Sequence, residues 1–228
     1  MPEGTGDLRG LYAITDAGLQ APEQLCERVA LAIDGGAALI QYRDKSGDAR
    51  LRRTQADALA QLCRARSVRL IVNDDVALAA ECGADGVHLG RDDTNLAEAR
   101  RVLGDSAIVG VSCYNRLELA REAADRGADY LAFGRFFSSQ TKPEAVQADS
   151  ALIVEAKRRW PLPVAVIGGI TPYNAAPLLA AGADMLAVVQ GVFAAADVRK
   201  AAAAYTALFG RASDIHTPVV ASGTARQP

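Results

Sequence analysis

Short apolar runs alternate along the chain with longer segments of helical period. Eight runs predict β-strands, and they lie at residues 10–14, 38–41, 70–72, 86–89, 107–111, 130–133, 164–167 and 186–189. The segments between them predict helices, among them 22–34, 49–66, 95–103, 116–126 and 150–160. Strands separated by helices pair in parallel through right-handed crossovers. The nearly continuous Val, Ile and Leu of the runs indicates strands that helices cover.

A weak internal repeat marks the start of the even-numbered strands. Its four copies are Gly36-Ala37-Ala38-Leu39, Gly83-Ala84-Asp85-Gly86, Gly127-Ala128-Asp129-Tyr130 and Gly182-Ala183-Asp184-Met185. Each glycine suits the left-handed position that ends a helix, and the small alanine allows a tight turn into the sheet. The copies are about two strand–helix units apart. Eight strands with this period favour a closed (β/α)8 TIM barrel, an α/β fold, over an open doubly wound sheet, which would leave two strands unused.

The barrel is expected to form one domain. The chain has 228 residues, and barrels of this size are commonly single domains. A last helix is predicted over 197–209, ending at Gly210, so the catalytic domain would span residues 1–210. Residues 211–228 are rich in Ser, Thr, Ala and Pro and lack a period, which predicts a disordered C-terminal tail.

Composition and charge argue against several classes of partner. The net charge of −2 leaves no electrostatic footprint for nucleic acid or an anionic membrane. Residues 1–10 lack the apolar core of a signal peptide, and no apolar run approaches the ~20 residues of a membrane span. The four cysteines lack metal-like spacing, so we expect reduced, mostly buried thiols in a cytoplasmic protein. Whether copies of the chain assemble into a homo-oligomer stays open.

The second strand ends in the polar and basic stretch 41–45. Side chains alternate along a strand, so Gln41, Arg43 and Lys45 share one face. An amide and two cations on one face suit the oxygens of a phosphate. We expect these three side chains to face a ligand, and Tyr42 and Asp44 to point away from it.

Acidic residues follow the third and fourth strands, where a barrel places its active site. Strand three ends in Asn73-Asp74-Asp75, and strand four is followed by Asp92-Asp93. Carboxylates from neighbouring strand ends can meet at one Mg²⁺ ion, with phosphate and water completing its shell. One member of each acidic pair is expected to cap the next helix. The pattern alone does not decide which member binds the metal.

A second anion site is predicted after strands seven and eight. Gly168-Gly169 follows strand seven, and Thr171-Pro172 is predicted to start a helix. Bare backbone amides near a helix N-terminus bind phosphate, and these loops commonly hold one in barrels. Gly191 after strand eight completes the pattern. A tight turn with positive φ would also explain the glycines, and both interpretations can hold together.

Two further residues carry candidate chemistry. His88 alternates with apolar neighbours in strand four, where structural hydrogen bonding is favoured over catalysis. Lys142 lies on the longest loop, after strand six, from which it could reach between the two anion sites. The mouth would then accept two phosphorylated small molecules, one of them a metal-bound diphosphate.

Seven motifs, taken in order, resemble the thiamine phosphate synthase family. They cover about residues 9–195 and are Leu11-Tyr12-Ala13-Ile14-Thr15-Asp16, Gln41-x-Arg43-x-Lys45, Val72-Asn73-Asp74, Gly86-Val87-His88-Leu89-Gly90-x-Asp92-Asp93, Gly110-Val111-Ser112, Phe133-Gly134 through Thr141-Lys142, and Val166-Ile167-Gly168-Gly169-Ile170. Members of this family are TIM barrels that use Mg²⁺. They join 4-amino-2-methyl-5-(diphosphomethyl)pyrimidine to 4-methyl-5-(2-phosphoethyl)thiazole, or its carboxylated form, and release diphosphate.

The resemblance implies a role for each matching position. The pyrimidine diphosphate would be bound by Gln41, Arg43, Lys45, Asn73, Ser112 and Lys142. The thiazole phosphate would be bound by Ser139, Gln140, Thr141, Gly169, Val189 and Gln190. Asp74 and Asp93 would hold Mg²⁺, and catalysis would rest on Arg43, Lys45 and Lys142, which neutralise the departing diphosphate.

This chain departs from the family pattern at two places, both on the thiazole phosphate side. The loop reads Phe-Phe-Ser-Ser-Gln-Thr-Lys where many members have Pro-Thr before the final Thr-Lys. Gln190 stands where a serine is common. Two alternatives to the synthase use the same barrel. One is a thiazole tautomerase-like isomerase, which would not need the diphosphate and metal set. The other is a non-catalytic barrel that binds a phosphorylated ligand.

Overall fold

The eight strands close into a parallel barrel in sequence order, with the last strand paired to the first. The computed structural model describes residues 8–90, 96–137 and 148–213. The strands are β1 Gly10–Ile14, β2 Ala37–Tyr42, β3 Arg69–Asn73, β4 Gly86–Leu89, β5 Ile108–Tyr114, β6 Tyr130–Gly134, β7 Val164–Ile167 and β8 Met185–Val188. The predicted single-domain TIM barrel is confirmed.

Helices surround the barrel. They are α1 Leu25–Asp34, α2 Ala49–Ala65, α3 Val76–Cys82, α4 Leu96–Leu103, α5 Leu117–Asp125, α6 Ala151–Arg159, α7 Ala176–Ala180, α8 Gln190–Phe193 and α9 Val198–Ser213, with a 3₁₀ turn at Pro22–Gln24 before α1. The predicted helix end at Gly210 is wrong, because α9 continues to Ser213. Glycine weakens a helix by only ~1 kcal/mol, so it does not end one by itself. The tail beyond 213 lies outside the described residues and remains a prediction.

The alternation of side chains along the strands creates two apolar layers. One layer fills the barrel interior and includes Tyr12, Leu39, Ile71, Tyr130 and Met185. The other lies between the barrel and the helices, where alternate residues of the same strands pack against helical side chains. Inward-facing positions near the carboxyl ends of the strands are therefore the ones that reach the mouth.

The repeated aspartates close the end of the barrel opposite the mouth. Oδ2 of Asp85, Asp129 and Asp184 accepts hydrogen bonds from the backbone N–H of Leu70, Val109 and Val164, at 2.7, 2.6 and 2.7 Å. All four repeat glycines have positive φ, as the predicted left-handed helix ends require. The repeat thus ties odd strands to even ones and belongs to the fold rather than to the site.

Two sequence expectations about membranes and thiols can be compared with the structure. In the described part of the chain, no helix combines the length and the apolar character that a membrane span needs. The four cysteines are free thiols; Cys63, Cys82 and Cys113 are buried and Cys26 is half-buried. Burial raises the pKa of Cys63 and Cys113 to about 12.

Candidate active site

The carboxyl end of β2 carries the amide and the two cations that the sequence singles out. Gln41 is only 2% exposed and points into the barrel, where Nε2 donates to the hydroxyl of Tyr12 at 2.7 Å. Arg43 lies at the rim, with its guanidinium 3.1 Å from the carboxylate of Asp16. Lys45 is further out, with Nζ 3.4 Å from Oδ2 of Asp74. These three side chains form a path from the interior to the rim.

Tyr42 and Asp44, which alternate with these three residues, have different surroundings. Tyr42 points away from the interior, as expected, and its hydroxyl donates to Gln55 of α2 at 2.9 Å. Asp44 was expected to point away from the ligand, but it lines the same cleft as Lys45. The strand has ended by then, so the alternation no longer controls its direction; Oδ1 accepts from the backbone N–H of Ser46 at 2.6 Å.

A cleft of about 660 Å³ opens beside the ends of β2 and β3. Its wall also includes parts of α2, α3 and α4, and its polar side chains include Lys45, Arg52, Asn73, Asp74 and Glu98. A space of this size fits a small phosphorylated molecule, since ligand sites commonly measure roughly 300–1,000 Å³. Cations and carboxylates share this wall, as a metal-bound diphosphate would require.

The structure separates the two carboxylates after β3. Asp75 caps α3, since Oδ1 accepts from the N–H of Leu78 at 2.9 Å, and Oδ2 pairs with Arg52 at 2.7 Å. Asp74 has a φ of +64°, outside the usual range of a non-glycine residue, and its carboxylate lines the cleft. Asp75 therefore has the capping role expected of one member of the pair. Both carboxylates line the cleft, but Asp75 is held by Arg52 and the cap of α3, whereas Asp74 lies beside Lys45 and accepts from Nδ2 of Asn73.

The acidic residues after β4, Asp92 and Asp93, lie outside the described residues. Among the residues that are described, no three His, Cys, Asp or Glu side chains gather into a metal cluster. Asp74 fits Mg²⁺ as a hard oxygen donor, and the ammonium of Lys45 already occupies the position of a cation beside it. The predicted loop residues Ser139, Gln140, Thr141 and Lys142 also lie outside the described residues.

A continuous line of polar side chains crosses the barrel interior. From the hydroxyl of Tyr12 it runs to that of Tyr130 at 2.8 Å, on to Nδ1 of His88 at 2.9 Å, and from Nε2 to Oγ of Ser112 at 2.9 Å. With Gln41 at the other end, we call these five residues the interior chain. The hydrogen bonding favoured for His88 is present. Ser112 lies within β5, which extends to Tyr114, beyond its predicted end.

Burial keeps both tyrosines of the interior chain in the hydroxyl form. Tyr12 and Tyr130 are 1% and 0% exposed, and loss of hydration is the largest cause that raises the pKa of each. Space for the Tyr130 ring comes from the inward position of Gly110, where a Cβ would lie 1.9 Å from Cζ of Tyr130. The imidazole of His88 stacks on that ring, with centroids 5.6 Å apart.

The glycines after β7 form a tight turn. Gly168 and Gly169 have φ of +105° and +61°, which confirms the turn interpretation. The helix predicted to start at Thr171 is absent, and α7 begins at Ala176. The side chain of Asn174 closes a turn instead, since Oδ1 accepts from the N–H of Thr171 at 2.7 Å and Nδ2 donates to the carbonyl of Gly169 at 3.0 Å.

The end of β8 completes the mouth. Gln190 is exposed and begins α8, and the carbonyl of Val189 accepts from the N–H of Phe193 at 2.9 Å. Gly169, Val189 and Gln190 thus all follow the carboxyl ends of β7 and β8. Val188 and Ala13 are register partners between β8 and β1, so this edge adjoins the strand that carries Tyr12.

Sequence reasoning assigned no role to Tyr12, Tyr130 or Asp16. Tyr12 and Tyr130 occupy inward positions of their strands, and a phenol with its hydroxyl inside a barrel needs a polar partner. Asp16 lies two residues after the end of β1, and β1 pairs with β2, which Arg43 follows. A rule that pairs charges across neighbouring strand ends would have found it.

Comparison with known proteins gives one consistent answer. A family model described as thiamine monophosphate synthase matches residues 11–192. A thiamine-phosphate synthase from Thiobacillus denitrificans is 56% identical over 202 residues, which cover 88% of this chain and 94% of the relative. One from Nitrosococcus oceani is 51% identical over 201 residues, or 88% and 93% of the two chains. Among solved structures, the thiamine phosphate pyrophosphorylase from Pyrococcus furiosus superposes with a TM-score of 0.81 at 33% identity, covering 90% of this chain and 98% of that chain.

Proposed function

The chain belongs to the thiamine monophosphate synthase family, and from this membership we propose that it joins a pyrimidine diphosphate to a thiazole phosphate. It is a transferase of thiamine biosynthesis. The substrates are 4-amino-2-methyl-5-(diphosphomethyl)pyrimidine and 4-methyl-5-(2-phosphoethyl)thiazole or its carboxylated form, and the products are thiamine phosphate and diphosphate. The observation that carries the proposal is an identity above one half to two synthases over 88% of this chain.

The reaction breaks the carbon–oxygen bond to diphosphate and forms a carbon–nitrogen bond to the thiazole. The pyrimidine's amino group stabilises the methylene cation left behind, and the thiazole nitrogen attacks it. This dissociative route needs no strong protein base. The leaving group carries the developing negative charge, so Arg43, Lys45 and Lys142 are assigned to stabilise it.

We propose that Asp74 and Asp93 would hold Mg²⁺, which would supply further charge neutralisation at the leaving diphosphate. The support is that Asp74 and Asp75 both line the cleft, and that Asp75 is already engaged by Arg52 and by the cap of α3. The path from Gln41 to Lys45 suits a ligand with a heteroaromatic ring inside and a charged group at the rim.

The pyrimidine ring is assigned to the inner end of that path, near Gln41, Asn73 and Ser112. Asn73 and His88 are register partners between β3 and β4, and His88 is hydrogen-bonded to Ser112. The thiazole phosphate is assigned to Gly169, Val189, Gln190 and the loop residues Ser139, Gln140 and Thr141. Since Gln190 is exposed, a side chain longer than serine can be accommodated there.

We place the enzyme in the cytoplasm, because four free thiols suit a reducing compartment. The direct test of function is thiamine phosphate formation from the two purified substrates with Mg²⁺, followed by chromatography of the products. Equal amounts of thiamine phosphate and diphosphate are expected. Isomerisation of the thiazole without condensation would identify a tautomerase instead. Binding of both substrates without turnover would identify a non-catalytic barrel.

A further inference from the structure

The interior chain connects two residues that the proposed function assigns to the same pyrimidine ring. Gln41 lies on β2 and Ser112 on β5, on different sides of the barrel. Four consecutive hydrogen bonds of 2.7, 2.8, 2.9 and 2.9 Å join them through Tyr12, Tyr130 and His88. Those three side chains are at most 9% exposed, so water cannot easily substitute for a missing link.

The number of protons available along the interior chain limits the hydrogen-bonding roles of its two ends, Gln41 and Ser112. A tyrosine hydroxyl has one proton to donate, and a neutral imidazole has one N–H and one acceptor nitrogen. If Gln41 donates to Tyr12, then Tyr12 donates to Tyr130 and Tyr130 to Nδ1 of His88. His88 then donates from Nε2 to Ser112, whose own proton remains to be offered to a ligand. The Gln41 carbonyl oxygen, the amide atom not bonded to Tyr12, then offers an acceptor, and one N–H of the amide also stays available.

The hydrogen bonds can also all run in the opposite direction, with every donor still matched to an acceptor. If the amide of Gln41 is turned so that its oxygen accepts from Tyr12, every donor in the interior chain reverses. Gln41 then offers an N–H and Ser112 offers an acceptor oxygen. In both arrangements the terminal amide atom of Gln41 that is not bonded to Tyr12 has the hydrogen-bonding role opposite to the one that Ser112 offers. The two ends cannot change independently, because each hydroxyl proton can be donated only once.

We propose that Tyr12, Tyr130 and His88 are positioning residues that give Gln41 and Ser112 opposite hydrogen-bonding roles, so that the site selects a heteroaromatic ring presenting one donor beside one acceptor. This inference rests on the proposed function. A 4-aminopyrimidine has this pattern, because its amino group donates and the neighbouring ring nitrogen accepts. A pyrimidine without the amino group lacks the donor and leaves one end of the interior chain unpaired, which is costly in a buried site.

The decisive experiment compares binding of two ligands by titration calorimetry, with Mg²⁺ and without the thiazole phosphate. One is the aminopyrimidine diphosphate, and the other is the same molecule without its amino group. The native protein should bind the first at least about tenfold more tightly, as expected for one unpaired buried polar group. Tyr130→Phe cuts the interior chain at its centre, so this ratio should fall to about one- to threefold. Tyr12→Phe should have the same effect, and it serves if Tyr130→Phe does not fold.

Tyr205→Phe is the matched control. Tyr205 is also 2% exposed, and its hydroxyl donates to the carbonyl of Ile170 at 3.0 Å, away from the interior chain. It should lose stability like the other variants while the native binding ratio persists. His88→Gln keeps one donor and one acceptor and should retain part of the ratio, whereas His88→Leu should abolish it. A purely structural role for the interior chain would lower the melting temperature without changing the ratio.

The outcomes distinguish a failure of the positioning role from a failure of the proposed function. Equal affinity of the native protein for the two ligands would overturn the positioning role. The same conclusion would follow if Tyr130→Phe and Tyr12→Phe kept the native ratio. A native protein that discriminates between the ligands but forms no thiamine phosphate would contradict the proposed synthase and leave the positioning role supported.

Discussion

The ammonium of Lys45 lies 3.4 Å from the carboxylate of Asp74, so a residue assigned to the diphosphate and one assigned to the metal neutralise each other. The Lys45 side chain is 62% exposed and that of Asp74 is 25% exposed, which lets the lysine move away more easily than the aspartate. An exposed pair of this kind contributes at most about 1 kcal/mol. A diphosphate can therefore attract Lys45 and leave Asp74 to a metal ion at little cost.

Replacing Asp74 should change the metal requirement of the reaction. In Asp74→Asn we expect the Mg²⁺ concentration for half-maximal rate to rise at least about tenfold, since loss of a direct ligand should cost no less than loss of an outer one. Asp75→Asn is the neighbouring control. It keeps the cap of α3, because asparagine caps a helix as well as aspartate does, and removes the charge that pairs with Arg52, so it should cost at most about 1 kcal/mol of stability. Its Mg²⁺ dependence should match the native enzyme, and a shift as large as that of Asp74→Asn would contradict the assignment.

Lys142→Ala should slow the chemical step rather than weaken substrate binding. Loss of a group that stabilises developing charge commonly costs about 10²–10³ in rate. Single-turnover measurements with saturating substrates would isolate this step. Lys200→Ala, which alters an exposed lysine on α9, provides the comparison and should turn over like the native enzyme. A single-turnover rate within about threefold of native would rule out this role for Lys142.

The fold could be predicted from the sequence because every strand of a barrel is buried on both sides and reads as an apolar run. The residues at which strands end were less predictable, because pairing with the neighbouring strand determines where each strand ends. β5 extends to Tyr114 because Tyr114 pairs with Phe133 of β6 across an irregularity in register. The turn after β7 was mistaken for a helix start because the side chain of Asn174 completes it, and a pattern of apolar residues does not record that.

Part of the candidate site was also predictable, for a topological reason. The carboxyl ends of parallel strands meet at one mouth, so polar residues after apolar runs point to it. The choice between Asp74 and Asp75 depends on Arg52 of α2, a contact that no local pattern contains. The interior chain depends on contacts that are more distant still. Tyr12 and Tyr130 are 118 residues apart and meet only when the barrel closes.

The two interior tyrosines should make the fold sensitive to alkaline conditions. Burial raises the pKa of both above the ordinary value of 10.0, so the folded chain retains protons that the unfolded chain releases. Their contribution is complete below pH 10 and is lost as pH rises above it, by up to about 1.4 kcal/mol per pH unit for each group. Urea unfolding from pH 8 to 11 should show this decline, and Tyr12→Phe should reduce its slope. The exposed residue Tyr173 offers a control, since Tyr173→Phe should leave the slope as it is in the native protein.

Gly110→Ala tests whether the interior chain needs the space that glycine leaves in β5. A Cβ at this position would lie 1.9 Å from Cζ of Tyr130, far inside van der Waals contact, so the ring must move. Overpacking of this kind commonly costs about 1–3 kcal/mol. Movement of the ring would also stretch the hydrogen bonds to Tyr12 and His88. We therefore expect a lower urea midpoint together with weaker binding of the pyrimidine diphosphate.

The matched control for this change is Gly210→Ala in α9, where no atom of the described residues outside the helix's own backbone lies within 4 Å of the added Cβ. Alanine favours a helix over glycine by roughly 0.5–1 kcal/mol, so this variant should be at least as stable as the native protein and should bind the substrate equally well. The opposite signs expected from the same chemical change distinguish crowding of Tyr130 from a general effect of alanine. Native stability and native pyrimidine affinity in Gly110→Ala would show that the ring can move without loss, and that its place in the interior chain is not needed for binding.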